Sequence, residues 1–277
     1  MIEIPESVVL AKQISQSLRG KTVTKVLPQR TPHKMAWYYE RPEDYPKLLT
    51  GKKIEFATGI GSMVEICASG AVILFGDGIR LTFCPTDSTV PKKDQLLIGF
   101  EDGSYLSAVV QMYGGLWCFP SGSFDNPYYL SAKSKPFALS DAFNQQYFEE
   151  LIDNPDMQKM PAKGFLATEQ RIPGLGNGVL QDILFRAGLH PKRKIGTLTK
   201  EEKSLLYKIL KTTLKEMAEF GGRDTERDLF GACGGYQTQM SKNTAGKPCP
   251  RCGETIAKEA YMGGSVYYCP NCQKIPA

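Results

Sequence analysis

The chain has 277 residues, of which 42% are hydrophobic and 23% charged, and its net charge is +5. No segment approaches the roughly 18 consecutive apolar residues of a membrane-spanning helix, and no basic segment followed by an apolar run begins the chain. These features argue against a membrane protein and predict a soluble, unexported protein that is long enough for two to three domains.

Positive charge is unevenly distributed along the chain. Residues 1–130 carry 13 Lys and Arg against 13 Asp and Glu, whereas residues 131–277 carry 21 against 16. The whole excess lies in the second half, where it favours contact with an anion; a solvated basic surface is the alternative.

The first predicted element is a short amphipathic helix over residues 6–19. Leu10, Ile14 and Leu18 recur four residues apart, a proline precedes the segment, and Gly20 suits its end. One face of this helix is therefore expected to pack on a core.

Short strands are predicted over residues 22–119. Runs such as "AVILFG" and "QLLIGF" are rich in branched and aromatic side chains and are separated by Gly and Asp. Asp102 and Gly103 between two such runs predict a hairpin. Many short strands at close spacing indicate an antiparallel sandwich or barrel.

Helical periodicity begins near residue 140, after a proline-containing connection over residues 120–138. Thr199 and Glu202 form a capping-box pattern at the start of the longest predicted helix. The apolar positions of the three predicted helices are Phe143, Tyr147 and Leu151, then Val179, Ile183 and Leu184, then Leu206, Ile209, Leu210, Leu214 and Met217.

Four cysteines near the C-terminus have the spacing of a metal site. Cys249 and Cys252 form one Cys-x-x-Cys pair, and Cys269 and Cys272 form a second pair after 16 intervening residues. Two such pairs present four thiolates to one ion, so we expect a structural Zn²⁺ held on a β-hairpin finger. Four sulfur ligands leave no open position for a catalytic water.

A glycine-rich turn, "PGLGNG", lies between two predicted helices at residues 173–178. Backbone N–H groups at a helix start suit a phosphate, and the nearby basic residues Lys163 and Arg171 favour this interpretation. The alternative is that the glycines serve only the close packing of a helical hairpin.

These features together resemble the formamidopyrimidine-DNA glycosylase and endonuclease VIII family. The matching stretches are "EIPE", "IPGLGNGVLQDILFRAGLHP", "GGRDTERD" and "CPRCG…YYCPNCQ", in the family's order over nearly the whole chain. The resemblance implies an α+β multidomain fold: an N-terminal antiparallel β-sandwich with a flanking helix (1–130), a helix-two-turn-helix domain (131–240) and a four-cysteine zinc finger (241–277).

The resemblance also implies roles for individual residues. Glu3 matches the family's glutamate beside the nucleophile, and Glu6 matches a second acid near it, although a place in the first helical turn also explains Glu6. Asn177, within the turn that includes Gly176, matches a phosphate-contacting asparagine, and Lys163 matches a lysine near the lesion.

Three positions depart from the family's pattern. Ile2 stands where the family has the proline whose amine attacks the sugar C1′. Ser62 stands where the family has a β-turn lysine, and Gly264 stands where its finger arginine clamps phosphates.

The wedge that enters the DNA also differs from the family. Gln111, Met112 and Tyr113 replace its two arginines and phenylalanine. Met112 and Tyr113 are nevertheless suited to fill the space of an extruded base.

The resulting prediction is a base-excision-repair glycosylase that binds damaged double-stranded DNA as a monomer in the cytoplasm, at the nucleoid. Because the acids are kept and the proline is absent, we expect Glu3 or Glu6 to assist hydrolysis of the N-glycosidic bond, with weak or no strand-cleaving lyase activity. A non-catalytic binder of damaged DNA is the main alternative, and an RNA- or crosslink-directed enzyme is a third. A retained Met1 amine would lie one residue, about 3.8 Å, beyond the family's nucleophile.

Overall fold

The computed structural model describes residues 1–275. Helix α1 spans Ile4–Leu18 and confirms the predicted N-terminal helix. Leu10 and Ile14 of α1 are buried in the core of the β unit, whereas Ile4 is buried in the core of the helical unit. The first turn of α1 therefore connects the two cores.

Nine strands and one short helix, α2 (Tyr45–Leu49), follow α1. The strands are β1 (Val23–Pro28), β2 (Ala36–Trp37), β3 (Ile54–Ile60), β4 (Met63–Ala68), β5 (Ala71–Gly76), β6 (Ile79–Cys84), β7 (Leu96–Phe100), β8 (Tyr105–Val110) and β9 (Gly114–Pro120).

The strands form two sheets, which confirms the predicted N-terminal sandwich. One sheet has the order β1-β7-β8-β6 and the other β2-β9-β5-β4-β3. All pairs are antiparallel except β2 with β9. The predicted hairpin joins β7 to β8, where Gly103 takes a φ of +81°. Branched and aromatic side chains from both sheets fill the space between them.

The connection between the two units contains a helix, α3 (Pro127–Ser134). Tyr129 and Ala132 of α3 pack with Val72, Leu74 and Phe119 of the sandwich. The boundary predicted at residue 130 falls inside this helix.

The helical unit contains the three predicted helices and a short additional one. They are α4 (Gln145–Ile152), α5 (Ala162–Ala167), α6 (Val179–Arg186) and α7 (Lys200–Glu219). Helix α7 begins with the predicted capping box, in which Thr199 N donates to Glu202 at 2.9 Å and Glu202 N donates to the Thr199 hydroxyl at 3.2 Å.

A small hairpin unit completes the described part of the chain. Strands β10 (Ala257–Tyr261) and β11 (Gly264–Tyr268) pair antiparallel. Gln181 of α6 fixes this hairpin, since its Nε2 donates to Ser265 O at 3.1 Å and its Oε1 accepts from Tyr267 N at 3.1 Å. The finger is therefore docked on the helical unit.

Among residues 1–275, no helix is both long enough and apolar enough to cross a membrane.

Candidate active site and metal centre

The N-terminal residue lies between two clefts where the sandwich meets the helical unit. A cleft of about 490 Å³ is lined by Met1 and Ile2 together with Met112 of the sandwich. A second cleft, of about 210 Å³, is lined by Met1, Glu3 and Asn177. The structure thus brings the predicted acid and the predicted phosphate-contacting asparagine to one site.

Ile2 is part of the protein core. Its side chain is only 3% exposed among sandwich residues, and its backbone N donates to Asp77 O at 2.7 Å. The terminal amine belongs to Met1, where it forms an ion pair with the carboxylate of Glu226. With Met1 present, position 2 offers no free amine to a substrate.

Glu3 is held at the start of α6. Its carboxylate accepts hydrogen bonds from Gly178 N and Val179 N, both at 2.8 Å, and lies 3.5 Å from Nη1 of Arg223. Burial raises the pKa of Glu3 and outweighs the opposing effect of Arg223. The two amides at the helix start, predicted to suit a phosphate, thus bind an anion from the chain itself.

Glu6 is bound on both carboxylate oxygens. It accepts from Nε, Nη2 and the backbone N of Arg223 at 2.9, 2.7 and 3.2 Å, and from Glu3 N at 3.2 Å. Burial acts to raise the pKa of Glu6, but the charge and hydrogen bonds of Arg223 together lower it. These contacts agree with the helix-turn interpretation of Glu6.

Arg223 is the residue of the site that the sequence analysis did not single out. It is 2% exposed and contacts both Glu3 and Glu6. The available signal was an arginine immediately after Gly221-Gly222 in "GGRDTERD". Its partners lie more than 200 residues earlier in the chain, so no local pattern connects them.

The glycines of the predicted turn permit this close packing. A Cβ on Gly176 would lie 2.6 Å from Cδ of Glu3, and a Cβ on Gly178 would lie 1.7 Å from Nη1 of Arg223. Side chains at these two positions would displace the acid and its arginine.

Lys163 and Asn177 meet at the tip of the zinc-finger hairpin. Nζ of Lys163 donates to the carbonyl of Tyr261, and Nδ2 of Asn177 donates to Ser265 O at 2.9 Å. A Cβ on Gly264 would lie 3.4 Å from Nδ2 of Asn177 and 3.5 Å from Nζ of Lys163. Gly264, which was predicted to stand at the position of the family's finger arginine, therefore adjoins both predicted DNA-contacting residues.

The predicted wedge residues are more exposed than Ser62. Met112 is 63% exposed and Tyr113 is half-buried, whereas Ser62 is 4% exposed. The Ser62 hydroxyl lies 2.6 Å from Oδ1 of Asp77 and 2.9 Å from the phenol oxygen of Tyr128. Ser62, which was predicted to stand at the position of the family's β-turn lysine, therefore makes internal polar contacts.

The four predicted metal ligands converge at the base of the finger. The sulfur atoms of Cys249, Cys252, Cys269 and Cys272 all lie within 4.8 Å of one another. Zinc–sulfur bonds of about 2.3 Å place the sulfur atoms of a tetrahedron roughly 3.8 Å apart, so the four thiols fit a structural Zn²⁺.

Arg251 connects the metal centre to α6. Its Nη1 and Nη2 donate to Phe185 O and Arg186 O at 3.0 and 3.1 Å, and its guanidinium lies 4.4 Å from the ring centroid of Phe185. The metal centre is therefore connected directly to the helix whose N-terminus binds Glu3.

Two family models match the second half of the chain. Residues 135–228 match the "Formamidopyrimidine-DNA glycosylase H2TH domain", and residues 246–275 match the "Zinc finger found in FPG and IleRS". The second match covers all four cysteines and identifies the metal centre as a zinc site of this type.

Curated relatives match the chain from end to end. The formamidopyrimidine-DNA glycosylase of Pelotomaculum thermopropionicum is 28% identical and covers 99% of this chain and 100% of the relative. That of Shouchella clausii is 29% identical and covers 100% of both chains.

Solved structures share the fold. The MutM (Fpg) protein of Thermus thermophilus superimposes with a TM-score of 0.82 at 25% identity, covering 99% of this chain and 100% of that one. The Lactococcus lactis Fpg in complex with abasic-site DNA gives a TM-score of 0.84 at 23% identity, covering 98% and 99%.

Proposed function

Because the chain belongs to the formamidopyrimidine-DNA glycosylase family, we propose that it binds damaged double-stranded DNA and releases damaged bases by hydrolysing their N-glycosidic bonds. The relatives named above carry the name of this activity and match the full length of the chain. The finer part of the proposal is that hydrolysis proceeds without the family's amine nucleophile, so that lyase activity is weak or absent.

The observation that carries the proposal is the contrast between Ile2 and Glu3. Ile2 is buried with its backbone N bound to Asp77 O, and the Met1 amine is paired with Glu226. Glu3 lines the smaller cleft, and burial raises its pKa. A carboxylate with a raised pKa is a stronger base than an ordinary one once it is ionised.

The proposed step uses one water molecule. The lesion nucleotide is flipped out of the duplex into the cleft, because a stacked base hides its glycosidic bond. Water attacks C1′ and transfers a proton to the Glu3 carboxylate, while the N-glycosidic bond breaks and the base takes the bonding electron pair. The proton then passes to the departing base, which leaves a hydroxyl on C1′ and restores ionised Glu3.

DNA binding is proposed for the residues around the finger tip. Asn177 lines the same cleft as Glu3, and the preceding residue, Gly176, lies beside the Glu3 carboxylate. Lys163 holds the hairpin tip through the carbonyl of Tyr261. We propose that Asn177 contacts a phosphate and that Lys163 acts mainly through the finger. The protein is proposed to act as a monomer in the compartment that holds the chromosome.

Base release and imine trapping test this function together. The protein is incubated with duplexes that contain oxidised, ring-opened or alkylated bases, with and without borohydride, and the free base and the covalent adducts are measured by mass spectrometry. Release of a base without an adduct is expected. An adduct on Met1 would contradict the hydrolytic mechanism, and no release from any lesion would contradict the activity.

The variant Glu3→Gln isolates the proposed base. It keeps the size of the side chain but cannot accept the proton, so we expect base release to fall by roughly 10²-fold or more while DNA binding is retained. Unchanged base release in Glu3→Gln would show that Glu3 is not the base in the hydrolysis.

A non-catalytic binder is the second candidate, because Glu3 and Glu6 already have hydrogen-bond partners within the protein. If the protein only binds damaged DNA, Glu3→Gln should leave its DNA binding and every other biochemical or cellular effect unchanged. This candidate also predicts that Asn177→Ala weakens binding to all sequences alike, as loss of a phosphate contact does.

A further inference from the structure

A groove of about 440 Å³ lies between α1 and α7, apart from the two clefts of the candidate active site. Glu6 and Leu10 of α1 line the larger cleft, whereas Val8 and Lys12 line the groove. Residues two apart in an α-helix lie on roughly opposite faces, because each residue turns the helix by about 100°. Within residues 1–275, the groove shares no lining residue with either cleft. We call this concavity the α1–α7 groove.

The floor of the α1–α7 groove is apolar. Val9 is 8% exposed, Val8 and Leu139 are half-buried, and half-buried Ala218 of α7 completes the apolar lining. Concave surfaces with an apolar floor and polar edges are typical of binding sites on soluble proteins. The floor therefore suits the apolar side chains of a ligand.

The rim of the groove is positively charged. Lys12, Lys211 and Lys215 line it together with a single acid, Glu219. Lys208 lies on the same exposed face of α7, three residues before Lys211, and extends the row of lysines. The electrostatic complement of this rim is an acidic ligand.

Two of the rim lysines are available to such a ligand. Lys12 and Lys215 are exposed, and the pair between Lys215 and Glu219 is a solvated contact of 3.7 Å, which contributes little. Nζ of Lys211, by contrast, already donates to Ser140 O at 2.7 Å. Lys12 on α1 and Lys215 on α7 therefore supply positive charge from both helices.

We propose that the α1–α7 groove binds a short acidic amphipathic helix of another protein. Such a helix lays its apolar face into a groove between two helices, and its carboxylates then meet the lysines of the rim. A nucleic-acid backbone would contact the lysines but would leave the apolar floor without a partner. The proposal goes beyond the proposed function and does not depend on it.

Binding of the helix is compatible with binding of DNA. The groove and the clefts use opposite faces of α1, and their linings are separate. The acidic helix therefore binds equally well to the free protein and to the protein on DNA.

Three fluorescein-labelled peptides test the proposal on the full-length, zinc-loaded protein by fluorescence anisotropy. The first is a designed helix with Leu at positions i, i+3, i+4 and i+7 and Glu on its other face. The second has Gln in place of every Glu, and the third rearranges the residues of the first so that no apolar face forms. We expect saturable binding of the first peptide and about tenfold weaker binding, or less, of the other two.

A charge-reversed variant locates the binding site. In the double variant Lys12→Glu and Lys215→Glu, the rim repels the acidic peptide, so we expect its affinity to fall by about tenfold or more. Lys200→Glu is the matched control, because Lys200 is an exposed lysine of α7 outside the groove lining, and it should keep the affinity. Thermal unfolding checks that each variant is folded, and the comparison of peptides on the wild type does not depend on any variant.

The remaining outcomes contradict the proposal. Absence of saturable binding up to about 1 mM would leave the groove without this ligand, and equal binding of all three peptides would show that neither charge nor the apolar face is recognised. Displacement of the peptide by a duplex with a tetrahydrofuran abasic analogue, or loss of duplex binding in the double variant, would make nucleic acid the occupant. Base release by the wild type is measured separately, so failure of the proposed function is distinguishable from failure of this proposal.

Discussion

Arg223 determines the charge balance of the site. It lies between two carboxylates in a region where all three side chains are almost fully buried. An unpaired charge in such a place is costly, because burial removes its hydration. The same arginine explains why the pKa of Glu6 is lowered while that of Glu3, farther from it, is raised.

Replacing Arg223 with Met should therefore destabilise the protein strongly. We expect the free energy of unfolding to fall by about 3–5 kcal/mol, because two buried carboxylates lose their counterion. Urea denaturation measures this change. Arg41→Met is the control: Arg41 pairs with Asp44 at an exposed site, and such pairs contribute about 1 kcal/mol or less. Similar losses in both variants would contradict the role of Arg223.

The buried carboxyl group of Asp182 should make the protein less stable as the pH rises. Burial raises its pKa from 3.8 to about 6, against the hydrogen bonds from Gln239 N and Met240 N. Between these pH values the folded protein holds a proton that the unfolded chain has lost. The contribution of Asp182 to the free energy of unfolding is therefore complete below pH 3.8, and it is lost as the pH rises through about 6.

Asp182→Asn removes this titration. We expect the difference in unfolding free energy, wild type minus variant, to fall as the pH is raised from about 4 through about 6 and then to stay constant. Urea unfolding of both proteins across this range provides the measurement. A difference that grows with pH would show that the carboxylate is stabilised in its ionised form.

At the scale of elements, the turn before α6 fits against the start of α1. Ile4 N donates to Gly174 O at 3.1 Å, and Gly174, with a φ of +79°, lies against the backbone of Gly61. Glu3 then binds the N-terminus of α6. Two helices that are distant in sequence thus meet at their N-terminal ends, and this contact positions the acid.

Gly176→Ala tests this contact. The added Cβ would lie 2.6 Å from Cδ of Glu3, so we expect Glu3 to shift, base release to fall by about 10²-fold and stability to fall by about 1–3 kcal/mol. Gly264→Ala serves as the stability control, because its Cβ has ordinary contacts of 3.4 Å and longer. Wild-type base release in Gly176→Ala would show that Glu3 tolerates displacement.

At the scale of the whole molecule, the zinc finger is coupled to the site through α6. Asn177 and Gln181 both donate to Ser265 O, and Arg251 donates to the carbonyls at the other end of the helix. The metal centre therefore sets the position of the hairpin tip relative to the cleft.

Cys269→Ser should remove the metal and release the finger. We expect zinc content, measured by atomic emission, to fall from one per chain, hydrogen exchange in β10 and β11 to accelerate, and DNA affinity to fall. The sandwich should keep its slow exchange, because its core lies elsewhere. Cys233→Ser, outside the ligand set, should keep the zinc. Unchanged exchange in the hairpin after zinc loss would mean that the metal does not hold the finger.

Local sequence patterns determined much of the fold. The four-residue spacing in α1, the capping box of α7, the hairpin at Gly103 and the cysteine spacing each predicted an element that the structure contains. Helix α3 was missed, although Asn126 before Pro127 is a cap signal, because its apolar pattern is weak. Strand β2 was missed because two residues are too short for periodicity.

The sequence by itself determined the element types, the metal ligands and the absence of proline at position 2, because these follow from residue identity and short spacing. Only the tertiary structure decided that Arg223 links Glu3 to Glu6, that Glu3 binds the start of α6, and that Trp37 adjoins Tyr113. These pairs lie about 70 to more than 200 residues apart. Their contacts arise from the packing of separate elements, which no local pattern encodes.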